Sequence, residues 1–421
     1  MLKRLKYTLA AVCLLLTALF ICSCDSVTSL FSDDFTVGQE YFTTQDVTFT
    51  KSKEDSTVAV TEYKVACACN LYEYTATFSL LDKDGKEIYK SDAMTSEEEV
   101  KANEEFTITF DAPYYEVSVA SKHTLELRGK TKESPSLLKS KIFKVTYMYD
   151  NQVLRTENVR GGNTVNTDTL DYKNMIFKGL YNGPTLSCRA KGAAPIYRDT
   201  VLYVDFAFDA EKVTNEITTS AIKSLVSIRY EKTKLFQKEI VTGSGVIFHK
   251  DSHCYYILTN YHVVGEEGNY NYRVFDYRDN EYSAQVYNGR GHAMDQGYDL
   301  AVLKIMRTDD ELECVSFAQN DIGIGAGCIS LGYPNGQKNA ITFGRTTGYA
   351  DKSDLLNFIA MKHTAVVNHG CSGGPLLNDR LELVGINYAK VGNDDSFSNG
   401  FAIPLSTIIE FLEKYEPSLL N

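Results

Sequence analysis

Nowhere in these 421 residues do two cysteines stand as C-x-x-C, and no His/Glu or Cys/His spacing of a zinc hydrolase occurs. No acidic cluster has the makings of a metal cage. Thiol redox chemistry and metal-assisted hydrolysis are therefore not expected, and no cofactor is implied. Basic charge is also short: 43 Lys and Arg stand against 55 Asp and Glu, a formal net charge of -12. A surplus of that sign repels phosphate backbones, so nucleic acid is not an expected partner, and solvated acidic faces account for the charge. Tryptophan is absent, whereas Tyr (28) and Phe (21) are plentiful. With Val and Thr in short alternating runs bounded by Gly, Asn and Asp, these aromatics favour strands over helices. The chain reads as mainly β and is long enough for two or three separate cores.

Long apolar runs are confined to the N-terminus. Lys3, Arg4 and Lys6 precede an uncharged stretch from Tyr7 to Ile21, followed by Cys22, Ser23 and Cys24. The run is shorter than the roughly 20 residues that a spanning helix needs, so residues 1–23 read as a signal peptide. Ser23 is the small residue a signal peptidase requires before its cut. Ile21 and Cys24 resemble the ends of a lipobox, which makes Cys24 the expected lipidation site and a membrane the expected anchor. The mature chain is expected to be extracytoplasmic, lipid-anchored or secreted, with residues 24–40 as a polar spacer. The seven cysteines at 67, 69, 188, 254, 314, 328 and 371 are odd in number and scattered, which excludes a dense disulfide framework. Cys67 and Cys69 fall on one strand face and read as buried thiols.

From residue 41 to about 140, short alternating runs at Tyr72–Leu81, Phe106–Phe110, Glu116–Ala120 and Thr124–Leu127 fit an immunoglobulin-like β-sandwich. Residues 141–208 order their apolar runs and turns like the small β-grasp repeat of internalins and many bacterial surface proteins, although the Trp common in that repeat is missing, with Leu180 near its place. Such modules act as spacers or adhesive units, so a cell-surface ligand is a possible partner. Residues 209–232 have roughly helical spacing and lead into the last domain, 209–421.

That last domain carries the chemistry. Cleaving a peptide with a neutral alcohol needs a base beside the alcohol, a carboxylate to orient the base, and donors for the oxyanion. Thr242-Gly243-Ser244-Gly245-Val246 is followed by an apolar strand ending in Thr259-Asn260-Tyr261-His262, which delivers His262 at a strand end. Asp299 opens another strand, Leu300 to Ile305. In Asn368-His369-Gly370-Cys371-Ser372-Gly373-Gly374-Pro375 the glycines permit a sharp turn that points the amides of Gly370 and Ser372 into one oxyanion pocket.

These ordered blocks, with Leu331-Gly332-Tyr333-Pro334 and Thr342-Phe343-Gly344 between them, resemble the HtrA branch of trypsin-like serine proteases over roughly residues 220–415. The resemblance implies a double six-stranded β-barrel, a triad of His262, Asp299 and Ser372, an acyl-enzyme mechanism, and protein or peptide substrates. By the family's spacing the base of the specificity pocket falls at Val366, with Tyr388 and Ala389 on its wall, Asn387 in the strand along the cleft, and His369 at the rim. An apolar base implies small or medium aliphatic side chains before the scissile bond. Two departures stand out. Cys371 replaces the family's Asn or Asp, and only 17 residues follow Pro404, with Ser406–Tyr415 as a closing amphipathic helix where a PDZ domain would otherwise follow. Cys371 is itself a rival nucleophile, but the position directly before the Gly pair selects Ser372. The readings left beside an active endopeptidase are a surface adhesin or scaffold that uses the protease fold without catalysis, and an esterase working through the same site.

Overall fold

The computed structural model describes residues 35–165, 170–190, 194–234, 237–265, 270–288, 293–307, 312–350, 358–390 and 400–420. The expected signal peptide, residues 1–23, and the expected lipidation site Cys24 lie outside the described residues. The chain forms two compact units: one holds residues up to 145 with 157–165 and 192–200, and the other holds 146–156, 166–191 and 201–421.

In the first unit, β1 (Phe35–Val37), β4 (Glu73–Leu81), β5 (Glu87–Lys90), β6 (Met94–Ser96) and β8 (Lys122–Thr131) make one sheet, and β2 (Phe42–Lys51), β3 (Val58–Cys67) and β7 (Glu105–Pro113) make another. Alternation along β3 and β4 puts Tyr63 and Phe78 inward, where their rings meet edge to face at 5.8 Å with Phe110 beside both. The Asp82–Lys86 stretch is the expected turn, with Gly85 at φ 82° and the Lys86 N–H donating to Asp82 Oδ1. The run Glu116–Ala120 is not a strand. Tyr114–Val119 forms a short helix with no buried residue, because the segment has no sheet partner to reward extension. Cys67 and Cys69 are buried free thiols, as their alternation predicts.

Strands β9 (Ile142–Tyr149), β10 (Gln152–Arg160), β11 (Met175–Tyr181) and β12 (Thr200–Phe208) form a four-stranded sheet in the order β10-β9-β12-β11. A helix follows at Ala210–Thr219, capped by Asp209 and burying Val213 and Ile217. It stops short of the helical spacing read through 232, because Leu225–Lys234 pairs as a strand with residues 237–246.

The rest of the second unit is two barrels. The first runs β13 (Leu225–Lys234), β14 (Gln237–Lys250), β15 (Cys254–Thr259), β16 (Tyr272–Phe275), β17 (Glu281–Val286) and β19 (Leu300–Met306), closed by pairing of β15 with β19, with the two-residue β18 (Met294–Asp295) at its edge. The second closes through β20 (Gly327–Gly332), β21 (Ala340–Ala350), β22 (Ala360–His363), β25 (Gly400–Pro404), β24 (Leu383–Lys390) and β23 (Pro375–Leu377). The continuous apolar runs follow from burial on both strand faces. Val226, Ile247, Ile257 and Leu303 fill the first barrel, while their neighbours Leu225, Val246, Leu258 and Val302 join Ile329, Leu377 and Ile386 in a core shared by both barrels. The helix Leu405–Tyr415 adds Ile408, Phe411 and Leu412 to that core from one face, as its spacing predicts.

Several polar contacts tie the second barrel to preceding segments of the same unit. Gly323 N–H donates to Asp150 Oδ1 (2.8 Å), Gly327 N–H donates to Tyr149 Oη (3.1 Å), and Arg345 pairs with Asp205 at 3.1 Å. The Asp205 side chain is only 6% exposed, so losing its cation is costly. We expect Arg345→Ala to destabilise the fold by about 1–3 kcal/mol, and Asp205→Asn added to it to recover part of the loss. Urea unfolding followed by tyrosine fluorescence checks this; a change below about 0.5 kcal/mol, within the range of ordinary surface substitutions, would contradict it.

Candidate active site

His262 lies in a single helical turn, Tyr261–Val264, entered directly from β15 and fixed by burial of Val263 and Val264. Asn260, fully buried, donates from Nδ2 to the Asp299 carbonyl (3.1 Å), and the Tyr261 N–H donates to the same oxygen (3.1 Å). Asp299 has φ 51°, a left-handed conformation that Asp tolerates better than most residues. Its carboxylate accepts the His262 N–H at Oδ1 (3.0 Å) and faces the His262 ring at Oδ2, 2.8 Å from Nδ1. A carboxylate only accepts, so Nδ1 carries the proton and Nε2 keeps a lone pair. Asp299 is 10% exposed at its side chain and His262 46%: a buried carboxylate facing a solvent-accessible imidazole.

The Ser372 turn belongs to the second barrel. Gly370 has φ 98° and Gly373 φ 85°. A Cβ on Gly373 would stand 2.1 Å from the Ser244 carbonyl oxygen, so no other residue fits there. Cys371 N–H donates to the Asn368 carbonyl (2.9 Å), Gly373 N–H to Asn387 (2.9 Å) and Gly374 N–H to Cys371 (2.9 Å). The amides of Gly370 and Ser372 donate to nothing among the described residues. Two free donors flanking a paired amide, that of Cys371, are what a developing oxyanion requires.

Ser372 Oγ donates to the Tyr388 carbonyl (3.0 Å) rather than to the imidazole. Tyr388 also packs edge-on against His262, with ring centres 5.9 Å apart and Phe358 on its far side. Burial, and then the Asp299 carboxylate, raise its phenol pKa. Cys371 is 4% exposed, and burial raises its thiol pKa, which keeps it protonated and away from substrate.

The other expected site residues separate into two groups. Val366, 52% exposed, and His369 are both exposed, and the Val366 carbonyl accepts from Thr342 Oγ1. Ala389 is placed by its backbone, opposite Phe401. Asn387 points inward instead: its Nδ2 donates to Ser330 Oγ and to the carbonyls of Gly374 and Pro375 at 3.0–3.2 Å, so it braces the turn from below. Sequence reasoning passed over Ser244, which is fully buried and hydrogen-bonded to both Gly370 and Ser372. Its one sequence signal is a small hydroxyl residue between two glycines.

Residues 243–386 match the family model of the trypsin-like peptidase domain. Among similar proteins, the serine protease Do-like HtrA of Bacillus subtilis is 35% identical over 183 residues, which cover 41% of this chain and 39% of that protein. The chloroplastic Protease Do-like 5 of Arabidopsis thaliana is 31% identical over 183 residues, 40% of this chain and 55% of that protein. The chain thus spans about half the length, or less, of these relatives. Similar solved structures include the active form of the Rv3671c protease from M. tuberculosis, 23% identical with a TM-score of 0.41, covering 50% of this chain and 88% of that one. The HtrA-type protease AlgW with a decapeptide is 24% identical with a TM-score of 0.39, covering 48% and 66%. The second unit therefore carries a trypsin-like peptidase domain with HtrA homologues.

One histidine beside this site reports on acid stability. His363, in β22, is fully buried, neither ring nitrogen has a hydrogen-bond partner among the described residues, and burial pushes its pKa down to about 4. The unfolded chain, with an ordinary imidazole near pH 6.5, binds this proton first. Stability is therefore full above about pH 6.5 and is lost as pH falls from there towards about 4. Thermal melts across that range should fall less steeply for His363→Gln than for the unmodified chain; parallel slopes would contradict this.

Proposed function

We propose that the chain is an extracytoplasmic serine endopeptidase in which Ser372 is the nucleophile, His262 the general base and Asp299 the orienting carboxylate. The observation that carries this reading is the pairing of the His262–Asp299 couple with two acceptor-free amides, Gly370 and Ser372, in one glycine turn. In the reaction, Ser372 Oγ turns from the Tyr388 carbonyl to His262 Nε2. The Tyr388 carbonyl is then free to receive an N–H from an extended substrate lying along β24. As Oγ attacks the scissile carbonyl, Nε2 takes its proton, and the oxyanion is held by the Gly370 and Ser372 N–H groups. The imidazolium passes the proton to the leaving amine, and water repeats the sequence on the acyl-enzyme.

Asp299 Oδ2 stabilises the imidazolium without taking its proton, so Asp299→Asn should leave the fold intact and cut kcat by roughly 10⁴ through the wrong tautomer. Val366, with Tyr388 and Ala389 on the wall, supports a preference for small or medium aliphatic side chains before the cleaved bond. His369 stands where substrate passes. Relatives named as periplasmic DegP-like and HtrA proteases support an extracytoplasmic location, and no helix among the described residues is long and apolar enough to cross a membrane. A lipid at Cys24 would tether the enzyme, with residues 24–40 as spacer and the modules at 41–140 and 141–208 as stalk or surface-binding units ahead of the peptidase domain at 209–421.

A non-catalytic adhesin or scaffold is the second reading, favoured by the Ser372 hydrogen bond to Tyr388 in place of one to His262. Fluorophosphonate labelling of the purified chain beside Ser372→Ala separates the two: Ser372-dependent labelling is expected, and its absence would favour the scaffold. Cleavage of a peptide library is expected after small or medium aliphatic residues; dominance of Lys or Arg would overturn the pocket assignment. The mass of the mature N-terminus is expected to be that of an acylated Cys24, and an unmodified start elsewhere would contradict the anchor.

A further inference from the structure

The peptide planes around Ser372 are held by a residue from the other barrel. Ser244 lies on β14, fully buried, and each of its polar groups is committed. Its N–H donates to the Ser372 carbonyl (2.8 Å) and its Oγ donates to the Gly370 carbonyl (2.6 Å). The same Oγ accepts from the Tyr333 N–H (3.0 Å), while the Ser244 carbonyl accepts from Thr259 Oγ1 (2.7 Å). The Tyr333 N–H fills an acceptor position on the hydroxyl, so its single proton is directed at Gly370.

The geometry constrains more than two atoms, because a carbonyl and the following N–H lie in one rigid plane and point in opposite directions within it. In the plane joining Gly370 to Cys371, Ser244 holds the carbonyl and Asn368 receives the N–H; in the plane joining Ser372 to Gly373, Ser244 holds the carbonyl and Asn387 receives the N–H. Between them the Cys371 carbonyl accepts from Gly374, and the Ser372 N–H has no acceptor among the described residues. The Cys371 side chain offers little help: a thiol is a weak donor, and this one is buried close to Gly332, whose added Cβ would meet Sγ at 3.3 Å. We infer that Ser244 is the positioning residue that sets the oxyanion loop from across the two barrels, supplying the loop-directed hydrogen bond that Cys371 does not make. This inference rests on the serine-endopeptidase reading.

The test compares the unmodified chain with Ser244→Ala and Ser244→Cys, the latter keeping side-chain size while weakening the donor. For Ser244→Ala, kcat on a cleaved peptide should fall by roughly 10- to 100-fold. KM should stay within about threefold, because the ground state does not use the oxyanion donors. The inhibition constant of a peptidyl boronate, which mimics the tetrahedral intermediate, should rise by the same factor as kcat falls, while affinity for the product peptide is unchanged. Ser244→Cys should follow in the same direction, and it decides the matter if Ser244→Ala does not fold. A kcat within about twofold of the unmodified chain would overturn the inference. Parallel losses in melting temperature, boronate affinity and product affinity would also overturn it, since they mark a purely structural staple. Failure of Ser372-dependent fluorophosphonate labelling in the unmodified chain would overturn the peptidase reading itself; labelling with an indifferent Ser244 would overturn this inference alone.

Discussion

Two backbone N–H groups, those of Gly370 and Ser372, have no acceptor among the described residues, while the amides of Cys371, Gly373 and Gly374 around them are paired, and the proposed site depends on keeping them so. Free donors are costly inside a fold and persist only where the surroundings hold the backbone in place. Here the surroundings come from both barrels: Ser244 from the first, and Asn387, Ser330 and Gly374 from the second. The shared core beneath explains why the barrels act as one body. Leu225, Val246 and Leu258 meet Ile329, Leu377 and Ile386 there, so His262 on one barrel and Ser372 on the other sit on a common apolar layer.

The His262–Asp299 couple is built by a different device. It is local: a strand end, a one-turn helix and a left-handed Asp299 whose carbonyl and carboxylate bind four groups of the Asn260–His262 segment. Because it is fixed by short-range hydrogen bonds within the first barrel, the imidazole is oriented before substrate arrives. Ser372 Oγ, engaged with the Tyr388 carbonyl, is the group that must turn in the proposed reaction. Rigid donors and a movable nucleophile are a workable division, since the donors are what must not reorganise during reaction.

The proposed triad residues and the glycine turn were legible in the sequence because serine-protease chemistry demands particular residue types at particular places, and the structure pairs His262 with Asp299 as that order predicts. Apolar strands such as Tyr255–Leu258 were legible as strands, but not as strands buried on both faces, since that depends on where the second barrel lies. Ser244 and the inward amide of Asn387 were hidden for the same reason: their partners are distant in the chain, and nothing local marks a serine as a clamp. The Glu116–Ala120 run alternated like a strand yet curls into a helix because no neighbouring edge receives it. Helical spacing through 232 misled where Val226 and Ile228 pair in a barrel.

The central claim is that Ser372 attacks while Gly370 and Ser372 receive the resulting oxygen anion. A crystal structure of the chain inhibited by a peptidyl aldehyde tests it most directly. The account predicts a covalent bond from Ser372 Oγ to the aldehyde carbon, with the hemiacetal oxygen about 2.7–3.1 Å from both amides. An adduct on Cys371, or a hemiacetal oxygen turned away from the two amides, would contradict it.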